Sequence, residues 1–376
     1  MKSITYTLLF ILFSSMAMQA QTLTPVKICD LPADLAETSG LTTIGVNQFL
    51  SHTDSGNEPK VMVFDSLGVI KRKIKLYNAT NVDWEDLTKD KNGTIYVGDF
   101  GNNNSDRNNL RIYIIPDPKT ITKDSTPAGI LSFTYSDQKA FPPAAAYQNY
   151  DMEAFFWFND SLYLFSKNRT SPYNGYTKCY QLPARTGVLT AKLIDSFYTG
   201  IGSYLNFSVT GAAINSTGNK VVLLGYDKCW IFTGFTGRNF LKGTVKTYPF
   251  NSLTQKEAVY FESDLKLMIT QETSPFGNAG MFRVNLPLQT GLKNTPKQQF
   301  EIEAYPNPVD ESMQLLIRTK SQSTPIEVML FDTSGKKVKT WNLVSNQMHE
   351  IDLREFASGT YFIKLADGST RKIIKE

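Results

Sequence analysis

Acidic residues recur at one position of a repeated pattern in the middle of this chain. Five segments begin with a short polar or acidic run and continue into an apolar strand: 36–41, 83–87, 151–155, 209–213 and 256–260. We align them on the residue two positions before the first large apolar side chain. That register holds Ser39, Glu85, Glu153, Gly211 with Thr210 beside it, and Glu257.

If equivalent residues of the repeats converge, three of these side chains place carboxylates around one point. Carboxylates gathered in this way repel one another and lose hydration, so they need protonation or a neutralising cation. Ligands that are all oxygen suit a hard ion, and a roomy ring favours calcium over magnesium. We therefore predict a calcium ion bound by Ser39, Glu85, Glu153, Thr210 and Glu257.

A second set of polar residues stands where the next strand of each repeat ends. Asp54 and Asp99 could orient a water as a general base, and His52 is the only histidine among the repeats. These three are the candidate catalytic residues. The remaining polar residues are candidate ligand contacts: Asn102, Lys167, Arg169, Tyr226, Asp227 and Glu272. The alternative is that they terminate strands and turns, where Asp, Asn and Ser are favoured anyway.

The repeats themselves predict the architecture that positions these residues. Each reads as four short strands, except that the fifth has no fourth strand before Pro287. The run at 24–32 supplies one from the N-terminus and would close a ring without exposed sheet edges. The sequence thus predicts an all-β, five-bladed β-propeller. A six-bladed ring is the alternative, with a degenerate blade hidden in the insertion at 139–150.

Composition removes several classes of function. Lys and Arg total 39 against 35 Asp and Glu, a net charge of +4 that does not suggest nucleic-acid binding. Two histidines exclude a multi-histidine zinc site, and three cysteines exclude a disulfide scaffold. Cys29, Cys179 and Cys229 are predicted to be buried thiols, with a Cys179–Cys229 disulfide as the alternative. The chain has no phosphate-binding loop, dinucleotide fingerprint, GxSxG elbow or HExxH motif.

The two ends of the chain differ in composition and pattern from the repeats between them. Residues 1–20 have a positive start, a short apolar run and small residues before a cut after Ala20, as in a secretory signal peptide. We expect no transmembrane segment after it and a monomeric exported protein. Residues 21–300 form the predicted propeller. Residues 301–376 alternate apolar and polar residues between turns, which predicts a small antiparallel β-sandwich.

The C-terminal region carries a specific series of motifs. They are YPNP at 305–308, LFDTSGKKV at 330–338, LREFASGTYFIKL at 353–365 and a basic KIIKE end at 372–376. In this order they resemble the type A C-terminal sorting domain of the type IX secretion system of Bacteroidetes. The resemblance implies contact with that machinery through 301–376, followed by secretion or attachment to the cell surface.

The propeller region resembles a second family at its strand starts. ETSGL at 37–41, YVG at 96–98 and the order Ser, Glu, Glu, hydroxyl, Glu around the ring resemble the calcium-activated nucleotidases, or apyrases. The resemblance implies calcium held in the central tunnel by Ser39, Glu85, Glu153, Thr210 and Glu257. That family's basic substrate-binding cluster is not preserved here. The resemblance therefore implies calcium binding more strongly than it implies nucleotide hydrolysis.

Two classes of function follow. The first is a non-catalytic surface propeller whose channel mouth binds a glycan, a surface protein or a small anionic ligand. The second is a calcium-dependent hydrolase of a phosphorylated or other anionic substrate, of nucleotidase or phytase type. Because no catalytic signature is present, the sequence favours the binding module.

Overall fold

The computed structural model describes residues 21–287, 300–319, 323–365 and 369–376. The predicted signal peptide lies outside these ranges. The chain separates into two compact units, one ending at Pro287 and one that contains the described residues from Phe300 onwards. In the described parts, no helix has the length and apolar character that a membrane crossing requires.

Five inner strands form the centre of the first unit. They are Thr38–Gly45, Trp84–Lys89, Asp151–Phe158, Gly211–Ile214 and Lys256–Ser263. Each contacts the next inner strand, and the last contacts the first, so the sheets close into a ring. The five-bladed β-propeller is confirmed. The stretch at 139–150, where a sixth blade was the alternative, is fully described and contains one helical turn, Ala145–Tyr147, and no strand.

The second and third strands of each blade continue outwards in antiparallel order, as the repeats predict. The second strands are Gln48–Thr53, Ile95–Asp99, Ser161–Lys167, Lys220–Leu224 and Lys266–Gln271. The third strands are Lys60–Phe64, Arg111–Ile115, Tyr176–Pro183, Lys228–Thr233 and Gly280–Asn285. The short connections keep the ends of all second strands on the face where the inner strands begin.

The outer strands complete the blades and close the ring. Those of the first four blades are Ile70–Leu76, Gly129–Tyr135, Gly187–Tyr198 and Thr244–Pro249. The outer strand of the fifth blade is Val26–Asp30, which pairs antiparallel with Gly280–Asn285. The N-terminal strand thus closes the ring as the sequence predicts. It joins the two ends of the propeller by backbone hydrogen bonds.

Three further backbone links join neighbouring blades at the periphery. The outer strands of blades 2 and 3 pair in parallel and merge both sheets into one of eight strands. Ser125–Thr126, from the connection within blade 2, pairs in parallel with the outer strand of blade 1. Leu23 forms a bridge with Phe250 after the outer strand of blade 4. These contacts run between segments far apart in the sequence, and the repeat pattern did not indicate them.

Apolar and aromatic side chains fill the space between adjacent blades. Phe156, Tyr163, Phe232 and Phe240 belong to the cluster between blades 3 and 4, where Phe240 meets two of the other rings edge to face. The three cysteines are buried free thiols. Single helical turns lie in the connections at Ala33–Leu35, Pro118–Thr120, Tyr204–Phe207 and Phe240–Lys242.

The second unit is the small β-sandwich predicted for the C-terminus. One sheet has three strands, Phe300–Tyr305, Ser312–Thr319 and Met348–Asp352. The other has four, Pro325–Asp332, Lys337–Val344, Gly359–Leu365 and Thr370–Lys375. Their apolar faces share one core that includes Leu315, Val328 and Ile363.

Removing the closing strand should destabilise the propeller strongly. Deletion of residues 22–31 exposes the edge at Gly280–Asn285 and uncovers buried side chains such as Met281 and Val284. Exposing two such side chains costs about 3 kcal/mol or more. We expect the melting temperature to fall by at least roughly 6 °C. The exposed change Val26→Ala in the same strand is the control, and an unchanged melting temperature after the deletion would contradict the closure.

Candidate functional site

A β-bulge near the start of the inner strand recurs in four of the five blades. The pairing with the second strand slips between 38 and 40, 84 and 86, 152 and 154, and 256 and 258. The extra residues are Ser39, Glu85, Glu153 and Glu257. A bulge re-aims the side chain of its extra residue, which explains why this register carries the polar groups. In blade 4 the pairing is regular from Gly211 onwards.

Two overlapping groups of carboxylates lie at the mouth of the channel. Asp54, Asp83 and Glu85 each offer an oxygen within 4.8 Å of the other two, and Glu85, Asp151 and Glu153 do the same. Glu85 belongs to both groups. The structure therefore groups Asp54 with Glu85 and Glu85 with Glu153, and it adds Asp83 and Asp151. Both added residues begin an aligned segment two positions before the glutamate, so the repeat pattern contained them outside the predicted register.

The group around Glu153 already contains cations. Lys167 Nζ lies 3.1 Å from Glu153 Oε1, and Arg169 Nη2 lies 3.4 Å from the same oxygen. Arg169 Nε donates to Asp151 Oδ2 at 2.6 Å, and the backbone N–H of Asn102 donates to Asp151 Oδ1 at 2.6 Å. Burial opposes the charge on Lys167, but Glu153 raises its pKa well above the usual range. Lys167 and Arg169 are thus internal counterions on this side of the mouth.

The group around Asp83 has no such counterion. Among the described residues, no lysine or arginine forms an ion pair with Asp54, Asp83 or Glu85. Glu85 is 5% exposed, and its carboxylate accepts no hydrogen bond from any described donor. Burial, and then repulsion from Glu153 and Asp54, raises its pKa well above the usual range. Burial, and then Asp54, raises the pKa of Asp83 to about 7.

A glycine makes room for the Asp83 and Glu85 carboxylates. A Cβ placed on Gly101 would lie 2.1 Å from Glu85 Oε1 and 2.4 Å from Asp83 Oδ2. The backbone of the loop after the second strand of blade 2 therefore comes as close to both carboxylates as only a glycine permits.

The remaining predicted metal ligands come from blades 1, 4 and 5, and Glu257 belongs to neither group of carboxylates. Ser39 and Thr210 are buried, and Thr210 Oγ1 donates to the carbonyl of Lys256 at 2.6 Å. Glu257 accepts a hydrogen bond from Tyr226 Oη at 3.2 Å on one oxygen, while its other oxygen is buried without a described partner. Burial raises the pKa of Glu257 well above the usual range, and repulsion from Glu153 adds to the effect.

The candidate ligand contacts divide between the mouth and its supports. Glu272 faces the mouth, where burial, and then repulsion from Asp54, raises its pKa to about 7. Tyr226 reaches the mouth through Glu257. Asp227 is held by Asn206, which donates to its Oδ2 at 2.7 Å, and by Lys228 at 3.1 Å. Asn102 is buried. Its backbone N–H donates to Asp151 Oδ1, and its side-chain Oδ1 accepts from the backbone N–H of Arg107.

Of the candidate catalytic residues, Asp54 alone has a carboxylate in these two groups. Asp99 is buried, pairs with Arg107 at 2.9 Å and accepts from the backbone N–H of Asp83 at 3.1 Å, so it positions the start of the blade 2 inner strand. His52 is fully buried and meets Trp84 edge to face. Burial lowers its pKa to about 4, so the imidazole is neutral at pH 7.

The C-terminal unit has a recognisable family. Residues 303–376 match the family model described as the secretion system C-terminal sorting domain. This region is a sorting domain. The match confirms the domain predicted from the motifs between YPNP and KIIKE, and it marks the chain for export to the cell surface or the medium. No curated protein matches the chain at a significant level.

Several solved structures have a similar fold at low identity. The PQQ-bound aldose sugar dehydrogenase of Streptomyces coelicolor is 9% identical, with a TM-score of 0.41, over 69% of this chain and 96% of that one. A putative gluconolactonase is 10% identical, with a TM-score of 0.40, over 68% and 76%.

PorZ, a surface component of the type IX secretion system of Porphyromonas gingivalis, is 11% identical with a TM-score of 0.34. The match covers 90% of this chain but only 45% of PorZ. At these TM-scores none of the likenesses informs the function. The resemblance to calcium-activated nucleotidases stays a prediction.

Breaking the buried Lys167–Glu153 pair should destabilise the fold. Lys167→Met leaves Glu153 with only the longer contact to Arg169, and loss of one partner of a buried pair costs about 3–5 kcal/mol. The free energy of unfolding in urea should fall by that amount, and adding Glu153→Gln should restore part of it. Lys242→Met, which removes an exposed pair with Asp195, should change it by less than about 1 kcal/mol. If Lys167→Met and Lys242→Met lowered the free energy of unfolding equally, the stabilising role of the buried pair would be contradicted.

Proposed function

We propose that this chain is an exported β-propeller that binds a ligand at its channel mouth, with one calcium ion held by Asp54, Asp83 and Glu85. The observation that carries the metal is Glu85, a carboxylate that is 5% exposed and has no described donor. Burying such a group without a partner is costly, and a cation at this point removes the cost.

The geometry of the three carboxylates is compatible with calcium. Calcium–oxygen contacts are about 2.3–2.6 Å, so two ligands of one ion lie at most about 5 Å apart. The oxygens of Asp54, Asp83 and Glu85 lie within 4.8 Å of one another. Three carboxylates can supply six oxygens, and a hard ion prefers such a set. Two of the three residues differ from the ligands predicted by sequence, because Lys167 and Arg169 already neutralise the Glu153 side.

The contacts of the polar residues favour binding over hydrolysis. A general base must reach a substrate or a water, but His52 is buried and Asp99 is paired with Arg107. Lys167 and Arg169 already contact Glu153 and Asp151, so neither is a free phosphate clamp. None of these contacts specifically favours the alternative function, a hydrolase. The role that remains is recognition, performed outside the cell.

Calcium should stabilise the full chain against heat, and the effect should depend on Glu85. At a hundredfold excess over the dissociation constant, binding adds about 2.7 kcal/mol, which raises the melting temperature by roughly 5–10 °C. We expect this rise after EDTA treatment and addition of calcium. Asp83→Asn and Glu85→Gln should each abolish most of it.

The control is Asp124→Asn, which removes an exposed carboxylate paired with Arg72. It should keep the full calcium response. If calcium did not change the melting temperature of the unmodified chain, the proposed metal site would be refuted. Phosphate release from a panel of nucleotides and phosphoesters by the calcium-loaded chain would contradict a purely binding role.

A further inference from the structure

A small pocket lies beside the charged mouth, on the side of blades 4 and 5. Its volume is about 170 Å³. Five apolar or aromatic side chains line it together with Thr254 and Gln255: Tyr204, Leu205, Tyr226, Leu253 and Phe276. Phe276 is 53% exposed, so the pocket opens to the solvent beside a large uncovered ring. None of the chemistry considered so far uses this pocket.

Two tyrosines of the pocket wall contact the charged mouth directly. Tyr226 Oη donates to Glu257 Oε1 at 3.2 Å. Tyr204 Oη accepts from Arg169 Nη1 at 2.6 Å, and the guanidinium carbon of Arg169 lies 5.1 Å from the centre of its ring. The pocket and the mouth therefore share walls. A ligand seated in the pocket would present its polar groups to Glu257 and Arg169.

A buried lysine holds the wall between blades 4 and 5 in place. Lys256 Nζ donates to the carbonyls of Tyr226 and Ser252, at 2.8 and 3.1 Å, and to Thr254 Oγ1 at 2.7 Å. These bonds tie the loop that carries Leu253 to the blade that carries Tyr226. This part of the pocket wall is therefore fixed by buried hydrogen bonds of the fold.

The size of the pocket limits what can enter it. A cavity of about 150 Å³ lined by apolar side chains holds one benzene ring. A pocket of about 170 Å³ therefore takes a single six-membered ring of a larger ligand. Aromatic walls suit a flat ring or the C–H face of a saturated one.

The polar groups at the boundary between pocket and mouth indicate which substituents the bound ring carries. Tyr226 bonds with the Glu257 carboxyl group and Tyr204 with the Arg169 guanidinium, so the boundary places hydrogen-bonding groups of both kinds beside the pocket. A hydroxyl group both donates and accepts hydrogen bonds, so it can pair with either kind of neighbour without a charge of its own. A ring that carries several hydroxyls and no charge matches this mixed boundary.

We propose that the pocket formed by Tyr204, Leu205, Tyr226, Leu253 and Phe276 binds one ring of an uncharged carbohydrate. This inference names the ligand class of the proposed binding function and rests on it. The C–H face of the sugar packs on the aromatic walls. Its hydroxyls bond with the charged groups of the mouth.

The test is glycan binding by the full chain in saturating calcium. An array of neutral and acidic glycans selects the best neutral oligosaccharide, which is then titrated by calorimetry beside its uronic acid counterpart. We expect saturable binding of the neutral glycan and at least tenfold weaker binding of the uronic acid. Phe276→Ala and Leu253→Asp should each weaken the neutral glycan at least tenfold.

The matched control is Tyr77→Ala, which removes an aromatic ring that is 62% exposed, against 53% for Phe276, and that follows the outer strand of blade 1. It should leave the affinity unchanged. The inference is overturned if no neutral glycan binds, if acidic glycans bind more tightly, or if Phe276→Ala has no effect. The calcium melt of the same samples separates the two proposals. Calcium stabilisation without glycan binding overturns the carbohydrate alone, and loss of both overturns the proposed function as well.

Discussion

Closing five sheets into a ring forces charged side chains into one small volume. The inner strands begin on the same face, and four of them carry a bulge at the same place. Three bulged residues are glutamates, joined by Asp54, Asp83 and Asp151. The stability of the folded ring depends on how these carboxylates are neutralised. Ring closure by Val26–Asp30 is what holds them together.

The mouth resolves this repulsion unevenly. On the side of blade 3, Lys167 and Arg169 neutralise Glu153 and Asp151 from within the chain. On the side of blades 1 and 2, the carboxylates of Asp83 and Glu85 lie against the backbone of Gly101, and no described lysine or arginine forms an ion pair with them. A cation from solution can serve only the second side. The proposed metal therefore lies off the axis, although the repeats suggested an ion at the centre.

The sequence predicted the fold better than the site. Apolar runs with polar starts marked all five inner strands, and the odd strand count indicated the closing strand. The predicted register contained Glu85 and Glu153 but not Asp83 and Asp151, which stand two positions earlier, where each inner strand begins. Burial of His52 could not be foreseen, since its strand has polar residues on both sides. Ion pairs such as Lys167 with Glu153 depend on distances that spacing does not give.

The links at the periphery differ from one junction between blades to another. Parallel strand pairing joins blades 2 and 3, and shorter backbone bridges join blade 1 to 2 and blade 4 to 5. Between blades 3 and 4 the contact is made by side chains, with aromatic rings packed edge to face around Phe240. The ring is therefore joined by backbone pairing along one arc and by side-chain packing at this junction. Tyr204–Phe207 lies in the connection across that junction, and Tyr204 bonds with Arg169 at the channel mouth, so this side of the mouth rests on side-chain contacts.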